Sequence, residues 1–409
     1  MKRYTHKNQC RICGSSKMIK ILDLGIMPPA NSFLGKEEIS KRETVFPLRL
    51  YFCPSCTLVQ LRDRVDSKYL FKHYVYMTSA SKPLVDYFRE YGEELIRRFV
   101  KSKNDLVVEV GGNDGPLLSV IQNKCRVLNI EPAKNIAQIS QIKGIPTITE
   151  FFSEELAKKI VAKRGTATIL TGSNVFAHID DMHDVFRGAK HLIGKKGVFV
   201  MEVHWVGNLI YEGGFDQIYH EHLCYYSLRS LQHLSEQFGL KIFDAQITSM
   251  HGATLRVFIS ASRTVQQSVR TLLNREHKLG LEKLSTYKNF SLRVKKNQED
   301  LRSLLLNLKR QGKTIAGYGA PAKGNTLLNF CKINHKTVDY LVDTTIFKQG
   351  LYTPGGHIPV HPPEHFKENQ PDYTVLLAWN YSDAILKKED AYRKQGGKFI
   401  IPVPKVKVL

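Results

Sequence analysis

Leu106-Val107-Val108-Glu109-Val110-Gly111-Gly112-Asn113-Asp114-Gly115, followed by the apolar run PLLSVIQ, is the stretch on which the fold turns. LVVEV reads as a buried strand, the glycines break it, and a helix-like run follows. Strand, glycine turn and helix in that order open an α/β unit. Residues without a Cβ let a ligand approach the backbone closely at the start of the helix. Many α/β domains have one such turn, so its meaning depends on its surroundings.

The next strand-like run, VLNI (127–130), ends in Glu131, roughly 20 residues after the turn. An acid there is placed to accept both hydroxyls of a ribose. The turn departs from GxGxxG, which argues against a dinucleotide. With no pyrophosphate to cradle, the acidic Glu109 suits a cationic or zwitterionic ligand. S-adenosylmethionine (SAM), a sulfonium with an amino-acid tail, fits, with Gly111, Asn113, Asp114 and Gly115 forming its turn. TIT (147–149) precedes Phe151 and Phe152, where an adenine would stack; core packing explains those rings equally well. Asn174 and His178 follow ATIL (167–170), at the carboxyl edge where open sheets place ligands. GVFVMEV (197–203) is the fifth strand. Strand and helix in alternation imply a parallel sheet with crossover helices.

The chain has 409 residues, 42% hydrophobic and 24% charged, a globular profile of two or three domains. The expected division is a small zinc-binding module with four cysteines over 1–70, a class I SAM-methyltransferase (Rossmann-like) domain over 71–262, and a helical linker with a second Rossmann-like domain over 263–409. The net charge of +22 favours an anionic partner or reflects a basic host proteome; its scattered lysines leave both open. No apolar h-region opens the chain and no apolar run reaches about 18 residues. A cytoplasmic protein with no membrane span is expected.

Four of the seven cysteines form two knuckles, Cys10-Arg-Ile-Cys13 and Cys53-Pro-Ser-Cys56. Each places two thiolates on one side of a tight turn, and two knuckles complete a tetrahedron. A closed four-thiolate shell leaves no open position, so the expected ion is structural zinc, with iron as competitor. A redox CxxC would need a βαβ context, absent here.

After the fifth strand comes Gly213-Gly214-Phe215-Asp216-Gln217-Ile218-Tyr219-His220-Glu221-His222. Tyrosine, histidine, glutamate and histidine in succession form a dense set of proton-transfer groups at a strand end. Histidine can act as a general base, and a carboxylate can orient its ring. A metal reading lacks HExxH spacing and a third ligand. A polar surface loop does not suit so aromatic a run. Tyr74 and Tyr76, in HYVYMTSAS, read as a lid over the donor or as core.

TIAGYGA (314–320) opens a second alternation, continued by VDYLVD, YTVLLAW and KFIIPVP. Gly317-Tyr318-Gly319-Ala320-Pro321-Ala322-Lys323 resembles a phosphate-binding turn, with Lys323 facing an anion, though GxxxxGK[ST] is absent. A Rossmann-type relic without ligand is the alternative. Lys323, Tyr318, Gly319, Lys348 and Arg256 are the candidates for holding a nucleotide diphosphate. Ribose-binding and hydride-transfer features are not evident, so no NAD is expected.

The motifs CRICG with FCPSC, YVYMTSAS, VEVGGNDGPLL, SNVFAHI, FDQIYHEHLCYYS, HGATLRVF, GYGAPAKGNTLLNF and PGGHIPV span residues 10 to about 404 in order. This layout resembles the three-domain sugar C-methyltransferases that act on nucleotide-linked 4-keto-6-deoxyhexoses. The resemblance implies SAM-dependent methylation of carbon 3, beside the C4 ketone, of a dTDP-linked sugar. It implies His222 as base, Tyr219 and Glu221 beside it, His178 lining the sugar pocket, and Tyr76 near the sulfonium. Ala253 stands where the family pattern has a second glycine, and GGND where GSND or GCND is commoner.

An RNA methyltransferase is the runner-up. It lacks an NPPY-type or DPPY-type motif for exocyclic amines and a Pro-Cys nucleophile, since Leu223 precedes Cys224. A non-catalytic SAM-fold binding protein is a third reading, opposed by the intact Tyr219–His222 run and Glu131.

Overall fold

The computed structural model describes residues 4–70, 77–248 and 253–409. Tyr74 and Tyr76 lie outside them.

The N-terminal module is built on an antiparallel sheet of Ile19–Met27, Phe46–Phe52, Val59–Leu61 and, from far along the chain, Cys224–Tyr225. Alternation in Phe46–Phe52 buries Phe46, Leu48, Leu50 and Phe52 on one side. Cys224–Tyr225 lies just past the His222 loop, so that loop ends by completing the first module's sheet.

The middle sheet has seven strands, in the order 241–248, 254–260, 198–204, 169–173, 106–110, 126–130, 147–148. The runs read from sequence are all here. Thr254–Ser260 pairs antiparallel with both its neighbours, a reversed strand in a sheet whose other described pairs are parallel. Leu106–Val110 is wholly buried, as a strand covered on both faces must be. It is flanked by Arg126–Ile130 on one side and Ile169–Ser173 on the other. The chain order reverses between Leu106–Val110 and Ile169–Ser173, which opens a crevice at their carboxyl ends. Gly111–Gly115 and Asn174 border it.

Two helices follow, Gln267–Lys278 and Leu284–Arg310, separated near Gly280 at φ +65°. The long helix buries Tyr287, Phe290, Val294, Asn297, Leu301, Leu305 and Leu308. Their spacing of three and four is a single core-facing stripe. Asn297 interrupts it and donates to the carbonyls of Pro402 and Pro404, at 2.8 and 3.1 Å.

The last sheet has six strands, ordered 360–361, 340–342, 315–318, 373–376, 398–401, 407–408. All pairs are parallel except the last. Its chain order reverses between Ile315–Tyr318 and Tyr373–Leu376, and Gly319 sits at that point. No helix among the described residues is long and apolar enough to cross a membrane.

Candidate active site

The Gly111–Gly115 turn is wired to the next strand. The Gly111 N–H bonds the Ile130 carbonyl at 2.8 Å. Glu131 accepts the N–H groups of Asn113 at 3.1 Å and Ala133 at 2.9 Å. Burial raises its carboxyl pKa, with those two bonds working the other way. Gly111, Asn113 and Gly115 all have positive φ, at +65, +53 and +81°. A Cβ on Gly112 would meet Asn129 Oδ1 at 2.4 Å and Glu109 Oε2 at 2.7 Å. That backbone is therefore bare by necessity, a cradle that suits a close-lying ligand.

Glu109 lies beneath the turn, buried, with Oε2 unpartnered among the described residues. Burial first, then Glu131 and Asp114, push its carboxyl up to about 8. On its own it is mostly neutral at pH 7, and a cation placed over it would draw off its proton. An orphaned buried oxygen beneath a bare turn fits a sulfonium amino acid.

Asp114 turns away from that space. It takes Lys143 at 2.7 Å and the Ser79 N–H at 3.2 Å. Burial pushes its carboxyl up, and these partners hold it below its usual value. Asn113 Oδ1 accepts the Thr78 N–H at 2.9 Å. These two side chains fasten the segment after Met77 to the turn. Phe152 goes into the core, 7% exposed, while Phe151 is 66% exposed and is the free ring of the pair. Asn174, at φ +56°, bonds the Glu202 carbonyl through its N–H. Its Oδ1 is buried without a partner among the described residues.

The Gly213–His222 loop gathers around His222. The ring Nδ1–H donates to the Gln217 carbonyl at 2.9 Å, and the Tyr219 hydroxyl donates to Nε2 at 2.8 Å. The carbonyl fixes the tautomer, so Nε2 carries the lone pair. A base oriented by backbone needs no carboxylate behind it.

Glu221 points elsewhere, to Asn31 Nδ2 at 2.7 Å. His220 is turned to the Phe46 carbonyl at 3.3 Å, and burial lowers it to about 4. His178 stands with its ring 5.0 Å from that of His222. Burial pushes it down to about 4, against hydrogen bonds with the Glu221 and Asn174 backbone. It is a neutral imidazole. His204, the last residue of Val198–His204, brings a third ring to 4.6 Å from His222. The sequence reading passed over it, although it ends a strand at the same edge as Asn174.

Among the described residues, only Cys10, Cys13, Cys53 and Cys56 form a cluster that could hold a metal. Their sulfurs lie within 4.8 Å of one another, with the Cys10–Cys56 and Cys13–Cys53 pairs at 3.5 Å. Four thiolates around zinc at about 2.3 Å stand about 3.8 Å apart, so the shell fits. Gly14 and Thr57, each just after a knuckle, both have positive φ, at +69 and +63°.

Arg256 is a correction. It is buried and engaged at all three nitrogens, bonded to Glu202 and Glu94 at 2.8 Å each and to the Tyr87 hydroxyl at 2.6 Å. Its guanidinium lies 3.6 Å from the centre of the Tyr91 ring. Buried at 3% exposure with each guanidinium nitrogen already donating to a protein group, it is a structural cation and not a free one for a phosphate. Tyr318 also faces away, donating to Glu389 at 2.8 Å and packing edge-on against Phe366.

Lys323 and Lys348 do flank the second glycine turn. Lys323 donates to Asn380 Oδ1 at 2.5 Å, 4.1 Å above the Trp379 ring. Burial lowers it to about 8, with Asp216 of the Gly213–His222 loop opposing. Lys348 donates to the Ala320 carbonyl at 3.0 Å and stands 3.8 Å from Asp343. Gly319 has φ +86°. Asp343, ending the strand Tyr340–Val342, accepts the N–H groups of Ala320 and Thr345 at 2.7 Å each. It stands after its strand as Glu131 stands after Arg126–Ile130, and the sequence reading passed over it. Ala253 adopts φ +90°, a glycine conformation at the place where the family pattern has glycine.

Three family models match the chain in order. They are a putative zinc binding domain over 10–71, a methyltransferase domain over 85–245, and a C-methyltransferase C-terminal domain over 249–404. C-methyltransferase NovU from Streptomyces niveus is 36% identical over 406 residues, 98% of this chain and 97% of that protein. Solved structures are more distant. Magnesium protoporphyrin IX methyltransferase of Synechocystis PCC 6803 with bound SAM is 12% identical, covering 44% of this chain and 79% of its own, at TM-score 0.32. A putative methyltransferase of Haloferax volcanii, in complex with Trm112, is 12% identical over 44% of this chain and 93% of its own, at TM-score 0.36. With a glycine cradle for SAM, a four-cysteine shell for zinc and a relative alike from end to end, the chain belongs to the three-domain SAM-dependent C-methyltransferases that its motifs resemble.

Proposed function

We infer that the enzyme methylates carbon 3 of a nucleotide-linked 4-keto-6-deoxyhexose, with dTDP as the nucleotide. The observation that carries this is His222: a buried imidazole with its tautomer fixed and Nε2 held by a phenol. A carbon beside a ketone becomes nucleophilic only when its proton leaves. His222 Nε2 takes that proton, and the C–H electron pair becomes the C=C bond of an enolate. Entry of the sugar displaces the Tyr219 hydroxyl from Nε2 and frees it to donate to the enolate oxygen. Neutral His178 is a second donor. In a site closed to water, such donors stabilise charge strongly.

When bound, SAM supplies the methyl group and a sulfonium leaving group. The enolate carbon takes that methyl, the ketone re-forms, and the proton leaves on His222. Gly111, Gly112, Gly115 and Glu131 hold the donor, with Tyr76 as a candidate beside it. Lys323, Lys348 and Asp343 hold the nucleotide. Zinc takes no part in the chemistry. A reduced four-cysteine shell and a SAM-dependent reaction both suit the cytoplasm.

The test is incubation of purified protein with SAM and a dTDP-4-keto-6-deoxyhexose made in situ, followed by mass spectrometry. The expected result is a gain of one methylene, lost in His222→Ala while SAM binding persists. No gain with dTDP-, GDP- or CDP-linked ketosugars, despite tight SAM binding, would sink the sugar reading and make RNA the next substrate to try.

A further inference from the structure

The strand Ile19–Met27 is followed by Pro28 and Pro29, which offer no N–H to continue a ladder. The loop they begin leaves the zinc module and reaches both other domains. The Ala30 carbonyl accepts from Asn325 Nδ2 at 2.7 Å. Leu34 and Tyr352 exchange two backbone hydrogen bonds, at 3.0 and 2.9 Å. Between these two anchors on the C-terminal domain, Asn31 donates to Glu221 Oε1 at 2.7 Å. All three domains meet along residues 30–34.

We propose that Asn31 is a positioning residue of the methyl-transfer site: held on both sides by the C-terminal domain, it fixes the Glu221 carboxyl and with it the turn that presents His222. This deepens the function inferred above and rests on it.

Glu221 is 8% exposed, and no charged side chain among the described residues acts on it. Burial pushes its carboxyl up to about 7, and the Asn31 bond works the other way. The titratable groups around it are His178, which bonds its backbone, and Tyr219, His220 and His222 on its own loop. A buried carboxyl oxygen that loses its donor takes up a proton or moves toward water. Glu221 is bonded to the His178 ring through its backbone and is the immediate neighbour of His222. A shift there disturbs two of the three imidazoles at once. The zinc module thereby acts in the reaction through position alone.

The test uses the full chain as Asn31→Ala and Asn31→Asp, each alone and with Glu221→Gln. SAH binding and melting temperature report folding. With the nucleotide ketosugar, Asn31→Ala is expected to lower kcat by about 10- to 100-fold with little change in the sugar KM. Combined with Glu221→Gln, it should cost nothing more than Glu221→Gln alone. Asn31→Asp should be slower still, because two carboxylates share the site. A readout free of substrate is the 13C signal of the Glu221 carboxyl, identified by its loss in Glu221→Gln. Its titration midpoint should move upward in Asn31→Ala. Wild-type kcat in Asn31→Ala, effects that multiply in the double variant, or an unmoved midpoint each overturn the proposal. If Asn31→Ala does not fold, Asn31→Ser is read in its place. A wild-type enzyme inactive on every ketosugar would defeat the functional reading, and the carboxyl titration would still decide the role of Asn31.

Discussion

The two glycine turns share one construction and differ in charge. In each, a glycine N–H bonds the last carbonyl of the neighbouring strand at 2.8 Å: Gly111 to Ile130, Gly319 to Val342. In each, the acid that follows that strand takes two N–H groups, one from the turn and one from two residues beyond itself. Glu131 takes Asn113 and Ala133, and Asp343 takes Ala320 and Thr345. Both turns sit where the chain order of a sheet reverses. Two residues before the glycine the copies part. The first has Glu109, buried with Oε2 unpartnered among the described residues; the second has Gly317, packed on Leu341. Around the second turn stand Lys323 and Lys348 instead. On the reading proposed above, one scaffold would serve two ligands of opposite sign, a sulfonium and a diphosphate. Fold alone does not choose the ligand; the buried charges beside it do.

Arg256 tests whether charge outside the turns matters. Arg256→Met removes the one arginine that, among the described residues, pairs with buried Glu202 and one of the two that pair with Glu94, and should cost about 3–5 kcal/mol of stability by denaturant unfolding. SAH and dTDP affinities of the folded fraction should not move; a loss of dTDP binding would return Arg256 to the substrate site. Gly112→Ala should weaken SAH by about 100-fold, for roughly 3 kcal/mol of overpacking, without touching dTDP in calorimetry. Next come the paired acids. Glu131→Ala should weaken SAH by about 10-fold or more and spare dTDP, and Asp343→Ala should do the reverse. Equal losses of both ligands in either variant would break the division of labour.

The smallest effects are the pH slopes, and they have opposite signs. Glu109 stands near 8 before a ligand enters, so a bound cation releases its proton. SAM affinity should rise with pH up to about 8 and flatten above, and Glu109→Gln should abolish the slope. Lys323 also stands near 8, but an anion favours its charged form. Affinity for dTDP should be level below about 8 and fall above it, with Lys323→Met flat at about 10-fold below the wild-type plateau and meeting the wild type at high pH. Parallel slopes would show that the charge difference is not what separates the turns.

What could be read from sequence was local. LVVEV and the knuckles each carry their signal within about ten residues, and each folds as its pattern dictates. The Tyr219–His222 run is local too, but only Tyr219 and His222 bond each other, while His220 and Glu221 turn to Phe46 and Asn31. Asp343 was legible by the same rule that found Glu131, an acid ending the strand after a glycine turn. It was passed over because the fingerprint between them is irregular. Arg256 misled because its partner comes from register: it stands opposite Glu202 across a strand pair 54 residues away. Asn31 and Glu221 are 190 residues apart. No spacing rule reaches that far.

The strand Cys224–Tyr225 has a practical consequence. It leaves the Gly213–His222 loop and pairs with Val59–Leu61, so the zinc module's sheet is completed by a segment of the middle domain. A middle domain expressed alone would keep its SAM cradle but leave that strand without a ladder. The smallest piece that recombination between relatives can exchange is therefore not a domain. It is the zinc module together with the loop and strand from Gly213 to Tyr225, inherited as one block or not at all.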